Sequence, residues 1–175
     1  MNAHKFYNRV TNSKKDIILE FINLLKSEKI NYCIIGGLGM NAYCEPIVTL
    51  DFDCVVAIKK FPLLRETLKQ RGFKIKKHPH TIEVTSKDSA LRIHIQLDKR
   101  YEKFLKDAKF RNVLGYKIRV AKKENLLLGK IWAYLDPERN KLKKEKDFLD
   151  IRRLIEKYPE LRKVVPEKMK LVGGL

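Results

Sequence analysis

Residues 34–56 read IIGGLGMNAYCEPIVTLDFDCVV, and no other stretch constrains the chain as much. An apolar run ends in Gly36-Gly37. A short interval later Asp51 and Asp53, one residue apart, open another apolar run. Side chains on a strand alternate faces, so both carboxylates point one way, about 6–7 Å apart, with Phe52 and Cys54 turned toward the core. Two like charges that close repel each other away from water. Two accounts fit: the pair lies on a solvated strand surface, or it shares a divalent cation. Carboxylates together with substrate phosphates are the usual Mg²⁺ environment.

The glycines narrow the choice. NYCIIGG is expected to be a strand that ends at Gly36-Gly37, followed by a short helix over 38–44. Glycine lets backbone N–H groups approach a phosphate without a Cβ in the way, and a helix start favours an anion. A tight strand-to-helix turn would use the same glycines. A phosphate cradle beside a carboxylate pair on the next strand describes a nucleoside-triphosphate site.

Around this segment the periodicities give an order of elements. Ser13 to Asp16 reads as a capping box, and Ile17, Phe21, Leu24 and Leu25 then recur at helical spacing over 14–28. FPLLRETLKQRG is expected to be a helix, with Pro62 at its start and Gly72 past its end. FKIKK, TIEVT and LRIHIQL have the spacing of a three-strand meander. KRYEKFLKDAK reads as a helix and YKIRVA as a last strand. From Lys123 the pattern is helical, punctuated at Asp136-Pro137 and Tyr158-Pro159. The expected fold class is α/β (α+β): a mixed sheet flanked by helices over 1–121, then a helical region over 122–175.

The run from Gly36-Gly37 to Asp51-x-Asp53 resembles the signature of the DNA polymerase β-type nucleotidyltransferase superfamily. It is most similar to the AbiEii-type toxin branch, with its Gly-Gly, helix, Thr, then two aspartates around an apolar residue. GKIWAYLDPERNKLKKEKDFLDIRRLIEKYPEL, 129–161, resembles that branch's helical region. The resemblance implies a minimal nucleotidyltransferase core and a chemistry. Asp51 and Asp53 would hold Mg²⁺ (or Mn²⁺) against the triphosphate, Gly36 and Gly37 would cradle phosphates, and Lys130 would pair with the triphosphate. Asp147 would act near the acceptor. Read from the residues alone, Lys130 interrupts an apolar helix face and needs an anionic partner or must snorkel. Asp147 and Asp150 could equally pair with lysines along a solvated helix.

Many relatives carry a third carboxylate on a neighbouring strand. In LRIHIQLD one face carries His94, Gln96 and Asp98 together. The expected position holds His or Gln, and Asp98 is the remaining candidate acid, one step later. His94 is a metal ligand, a base or a hydrogen-bonded structural residue.

Charge points to the acceptor. The chain carries 39 Lys and Arg against 21 Asp and Glu, a net +18. The excess is uneven: residues 1–98 hold 16 basic and 10 acidic residues, residues 99–175 hold 23 and 11. A one-signed excess suits a polyanion, so the leading acceptor is RNA, with the tRNA 3′ end foremost. An aminoglycoside or a protein hydroxyl is the rival, ranked lower because a basic cleft would repel a small cation. Tyr101, Phe104, Phe110 and Tyr116, interleaved with cations, would either stack a single strand or belong to the core. A toxin role with a cognate antitoxin follows from the branch resemblance. The alternative is a degenerate nucleotidyltransferase fold that binds nucleotide or RNA without catalysis. Cys33, Cys44 and Cys54 show no disulfide or zinc spacing, no signal-peptide core opens the chain, and no apolar run spans a bilayer. A reduced, cytoplasmic protein without a membrane partner is the expectation.

Overall fold

The aspartate strand sits at the middle of the sheet. In the computed structural model, which describes residues 3–173, Asp51–Val56 (β2) has Phe52 and Cys54 fully buried, while Asp51 and Asp53 remain partly exposed. The expected alternation therefore holds at this strand. Behind it packs Ile17–Ser27 (α2, after an N-terminal helix α1, Ala3–Val10), which sets Phe21 edge-to-face on Phe52 with ring centroids 5.7 Å apart. Such an aromatic pair adds about 0.5–1.5 kcal/mol beyond its buried area.

The remaining elements are Tyr32–Ile34 (β1), Gly36–Met40 (α3), Phe61–Gln70 (α4), Lys74–Lys77 (β3), Thr81–Thr85 (β4), Arg92–Gln96 (β5), Lys109–Val113 (β6) and Tyr116–Val120 (β7). Three helices follow: Lys123–Leu135 (α5), Lys141–Lys157 (α6) and Glu167–Gly173 (α7). The seven strands form one mixed sheet in the order β3-β4-β5-β2-β1-β7-β6. β2 runs parallel to β5, and β1 parallel to β7; the other pairings are antiparallel. This is the mixed α/β class expected from the sequence, with the three-strand meander in place.

Four local expectations are corrected. Helix α2 is capped by Asp16, whose carboxylate accepts the Leu19 N–H at 2.9 Å, and not by Ser13. A charged cap directly before the apolar periodicity also opposes the helix dipole. Ser13 instead joins Thr11 and Ser89 through its hydroxyl. The helix after β1 begins at Gly36, so the glycines form its first turn. The expected helix over 99–109 is a 3-10 turn, Lys99–Leu105, followed by strand β6. The β6–β7 hairpin turns at Leu114 and Gly115, both with positive φ (50° and 85°). Hairpin turns of that kind are normally announced by Asn-Gly, so leucine in the first place hid it.

Three of the four interleaved aromatics are core. Tyr101, Phe104 and Tyr116 are buried, and only Phe110, on the edge strand β6, is exposed. Leu126, Leu127 and Ile131 of α5 and Ile151, Leu154 and Ile155 of α6 share one buried apolar cluster with the sheet. Cys33, Cys44 and Cys54 are unpaired and buried. Among the described residues no helix is long and apolar enough to cross a membrane.

Candidate active site

Gly36 adopts φ +62°, a left-handed conformation that other residues avoid. Its Cα faces the Asp53 carboxylate so closely that a Cβ there would lie 2.0 Å from Oδ2. The backbone turn and the carboxylate are thus fitted to one another. Gly37 is different: a Cβ would make ordinary contacts with Thr49 at 3.7 Å, so the protein itself leaves room there. Gly36 lines the cavity in front of β2; Gly37 sits one residue along the helix.

That cavity holds about 630 Å³, within the usual range for small-ligand sites. Its floor is the sheet face made by β2, β5 and β4. Strand register places Asp51 beside Arg92, Asp53 beside His94, and His94 beside Glu83. Arg92 donates to Asp51 Oδ1 through Nε and Nη2, both at 2.8 Å. His94 Nδ1 lies 3.2 Å from Asp53 Oδ1, and its Nε2 lies 3.5 Å from Glu83 Oε2. The Asp53 hydrogen bond raises the His94 pKa against the opposing effect of burial, with Asp51 and Glu83 adding to the rise. The carboxylate pair therefore faces two cationic or protonatable groups on the next strand. Glu83 is an acid that residue spacing did not reveal. TIEVT shows its alternation, but only the β4–β5 register brings it next to His94.

Asp98 also lines the cavity, as the cap of the 3-10 turn. Its carboxylate accepts from the Arg100 backbone N–H (2.9 Å) and from the Arg100 guanidinium (2.6 and 2.8 Å). Those bonds hold its carboxyl below the usual range. Tyr101 and Trp132 also line the cavity, with Arg100 Cζ 4.8 Å and Lys103 Nζ 5.2 Å from the indole centroid. Burial pushes the Tyr101 phenol up to about 12, so it stays neutral near pH 7.

The helical side supplies an ion network. Lys130 reaches Asp147 at 3.0 Å and Asp150 at 2.7 Å. Arg139 holds the other Asp147 oxygen at 2.8–3.0 Å, and Arg153 holds Asp150 at 3.0 Å. Asp147 and Asp150 are buried. Burial works against the Lys130 charge, but Asp150 and Asp147 outweigh it and raise its pKa. Lys130, Arg139 and Asp147 all line the cavity. The ammonium donates a hydrogen bond to Asp147 and stands at ion-pair distance from Asp150. Gly129, beside Lys130, is tight: a Cβ would lie 3.1 Å from Tyr101 Cε1. The structure thus gathers Gly36, Asp51, Asp53, Asp98, Lys130 and Asp147 around one cavity, from elements on both sides of residue 121.

The wall is nearly balanced in charge. Six carboxylates line it (Asp51, Asp53, Glu83, Asp98, Asp136 and Asp147), against five Lys or Arg side chains. The expectation of a basic cleft is corrected here; the chain's positive excess lies elsewhere. The donor set suits a hard divalent cation that takes two carboxylates and completes its shell with phosphate oxygens. It is not a ready-made cage: among the described residues no group of three or more His, Cys, Asp or Glu side chains is placed to hold a metal ion.

No protein-family model matches the chain, and no curated protein matches it in sequence. Solved structures do match in fold. The lincosamide antibiotic adenylyltransferase LnuA, lincomycin-bound, superposes with a TM-score of 0.57 at 18% identity, over 82% of this chain and 97% of that one. The antibiotic-resistance factor ANT(2'')-Ia gives 0.60 at 12% identity, over 84% and 88%. An antigenic nucleotidyltransferase-like protein from Paracoccidioides brasiliensis gives 0.57 at 17%, over 89% and 87%. At these identities the likeness is one of fold. The chain has a nucleotidyltransferase fold.

Proposed function

We propose that this protein is a metal-dependent nucleotidyltransferase of the AbiEii-type branch that moves a nucleoside monophosphate from a triphosphate to a hydroxyl of RNA, foremost the tRNA 3′ end. The observation that carries the reading is the carboxylate pair itself. Asp51 and Asp53 share one face of β2, with Asp53 seated over the Gly36 turn, at a cavity that also receives Lys130 and Arg139. Nothing in the packing of a sheet requires two adjacent acids there.

In this reading the acceptor oxygen bonds to the α-phosphorus, the bond from that phosphorus to the bridging oxygen breaks, and pyrophosphate leaves. The hydroxyl proton goes to water. Asp51 and Asp53 would hold Mg²⁺ or Mn²⁺, which supplies charge neutralisation to the phosphates. The chain's own work is positioning and electrostatic stabilisation. Gly36 and Gly37 would offer backbone N–H groups to the phosphates, while the space of the missing Gly36 side chain is taken by Asp53. Lys130 and Arg139 face the departing pyrophosphate. Asp147, with both oxygens engaged by those two cations, positions them; the role near the acceptor comes from the branch resemblance, and a doubly paired carboxylate is a weak base. Asp98 is occupied by Arg100 in the same way. A growth-inhibiting role with a cognate antitoxin belongs to this reading through the branch resemblance.

A second reading has its own support. Asp51 is paired to Arg92 and Asp53 to His94, and His94 stands where a third carboxylate is expected. A fold with that arrangement would bind nucleotide or RNA without transferring anything. The balanced cavity wall also removes the objection to a small cationic acceptor.

The test is transfer of label from each of four α-³²P nucleoside triphosphates to total tRNA with Mg²⁺, comparing wild type with Asp53→Ala. Labelled RNA that disappears in the variant supports the first reading and identifies the nucleotide. Mg²⁺-dependent pyrophosphate release only when an aminoglycoside or protein acceptor is supplied keeps the chemistry and rejects RNA. Nucleotide binding with no transfer to any acceptor supports the binding module.

A further inference from the structure

A second groove is more basic than the cavity wall. It holds about 430 Å³ and is lined by Lys106, Lys109, Arg111, Lys122 and Lys123, with only Asp107 and Glu124 against them. Lys123 is neutralised by Glu160 at 2.6 Å, and Lys122 approaches Glu124 at 3.9 Å. Lys106, Lys109 and Arg111 have no carboxylate within ion-pair distance among the described residues. Arg111 instead lies over Tyr43, its Cζ 4.4 Å from the ring centroid. The Tyr43 hydroxyl is itself tied to the Ala121 carbonyl at 2.9 Å, which fixes the ring.

The groove's place in the fold is specific. Helix α3 starts at Gly36 in the first cavity, and Tyr43, just past its end, lines the second. Helix α5 does the same in reverse: Lys122 to Glu124 at its start line the groove, and Gly129 and Lys130 line the cavity. The two helices touch through Leu126 on Gly39. One α3–α5 layer therefore separates the carboxylate site from the basic groove, both at the end of the sheet where β1 and β7 finish.

We infer that this groove carries the backbone of a single-stranded RNA whose 3′ end occupies the cavity. The inference rests on the RNA-acceptor reading above and adds the surface that would bind the acceptor. Three cations without carboxylate partners suit successive phosphates, which bind chiefly by releasing counterions. The exposed Arg111 guanidinium, backed by the buried Tyr43 ring, offers its outer face for stacking to an unpaired base. The opposite edge strand, β3, also carries lysines, Lys74, Lys76 and Lys77, and supplies the control for charge alone.

The experiment is fluorescence anisotropy of an end-labelled single-stranded RNA against salt concentration. It uses the full chain as wild type, as Lys109→Glu/Arg111→Glu, and as the β3 control Lys74→Glu/Lys76→Glu, with circular dichroism on each. A milder pair, Lys106→Gln/Lys109→Gln, leaves the Arg111–Tyr43 contact in place and guards against misfolding of the first variant. The expected result is at least a roughly tenfold loss of affinity in the groove variant. The slope of log affinity against log salt should also flatten by about 1.4 for the two lost phosphate contacts, with a much smaller change in the control. Equal losses in groove and control variants, or no loss in either groove variant, overturn the inference. Wild-type labelling of RNA with unchanged affinity in the groove variants rejects the groove and leaves the acceptor reading intact. Groove-dependent RNA binding by a wild type that labels no RNA keeps the groove and rejects the acceptor reading. Weakened binding to polyglutamate but not to RNA assigns the groove to an acidic protein and overturns the proposal.

Discussion

The Asp53 carboxylate occupies the space that a side chain at position 36 would need. A Cβ on Gly36 would stand 2.0 Å from Asp53 Oδ2, and Gly36 already holds φ at +62°. The glycine turn is therefore fitted to the acid, and no side chain fits at position 36 while Asp53 stays in place. Gly36→Ala is expected to cost at least about 1–2 kcal/mol from the left-handed backbone alone, and to push Asp53 out of line. Gly37→Ala meets only ordinary contacts and should fold with wild-type stability. Thermal unfolding separates the two. Equal stability of both variants would show that Asp53 moves aside freely.

The ion network on α5 and α6 should dominate the polar contribution to stability. Asp147 is buried and bridges Lys130 and Arg139. Asp147→Ala leaves Lys130 with one buried partner instead of two and should cost about 3–5 kcal/mol by urea unfolding. Arg139→Ala removes a more exposed partner and should cost much less. A loss below 1 kcal/mol for Asp147→Ala would mean that water replaces the pair.

Asp98 gives a pH dependence of known sign. Its bonds to Arg100 lower the folded-state pKa, so the native state prefers the ionised form. The associated stability is present above the unfolded carboxyl pKa near 3.9 and is lost as pH falls through the lower folded value. Asp98→Asn keeps a cap and removes the charge. It should cost about 0–1 kcal/mol at pH 7, because Arg100 is exposed, and the difference from wild type should close on acidification. Chemical unfolding at pH 7, 5 and 3 checks this; a gap that widens toward acid would reverse the assignment.

The cysteines should be inert in the native protein. Burial pushes the Cys33 thiol up to about 12, and Cys54 well above its ordinary value. Cys44 is raised by burial as well. Thiolates are the reactive form, so a disulfide-exchange reagent at pH 8 should label three thiols only on unfolding. With folded pKa values above the unfolded one, the thiols' contribution to stability is full below about pH 8.5 and declines as pH rises toward 12. Rapid labelling of a native thiol would show an opening motion near β1 and β2.

Much of the architecture was legible in short-range pattern. The alternation in DFDCVV put both aspartates on one face because a pleated strand allows nothing else. The helical spacing of Ile17, Phe21, Leu24 and Leu25 gave α2, and KENLLLGKIWAYL gave α5 to the residue. The turn at Leu114-Gly115 was not legible, because leucine is an uncommon residue at positive φ. With it went strand β6 and the groove it helps to line.

The sequence by itself determined most of the elements, the shared face of Asp51 and Asp53, and the glycine turn before them, because strand alternation and glycine's freedom are properties of neighbours along the chain. Only the tertiary structure decided which groups meet across it. The β2–β5–β4 register set Arg92, His94 and Glu83 beside the aspartates, and the α5–α6 packing gave Lys130 to Asp147 and Asp150. It also left the cavity wall balanced in charge and a second groove basic. Register and packing depend on the free energy of the whole core, and no local spacing encodes them.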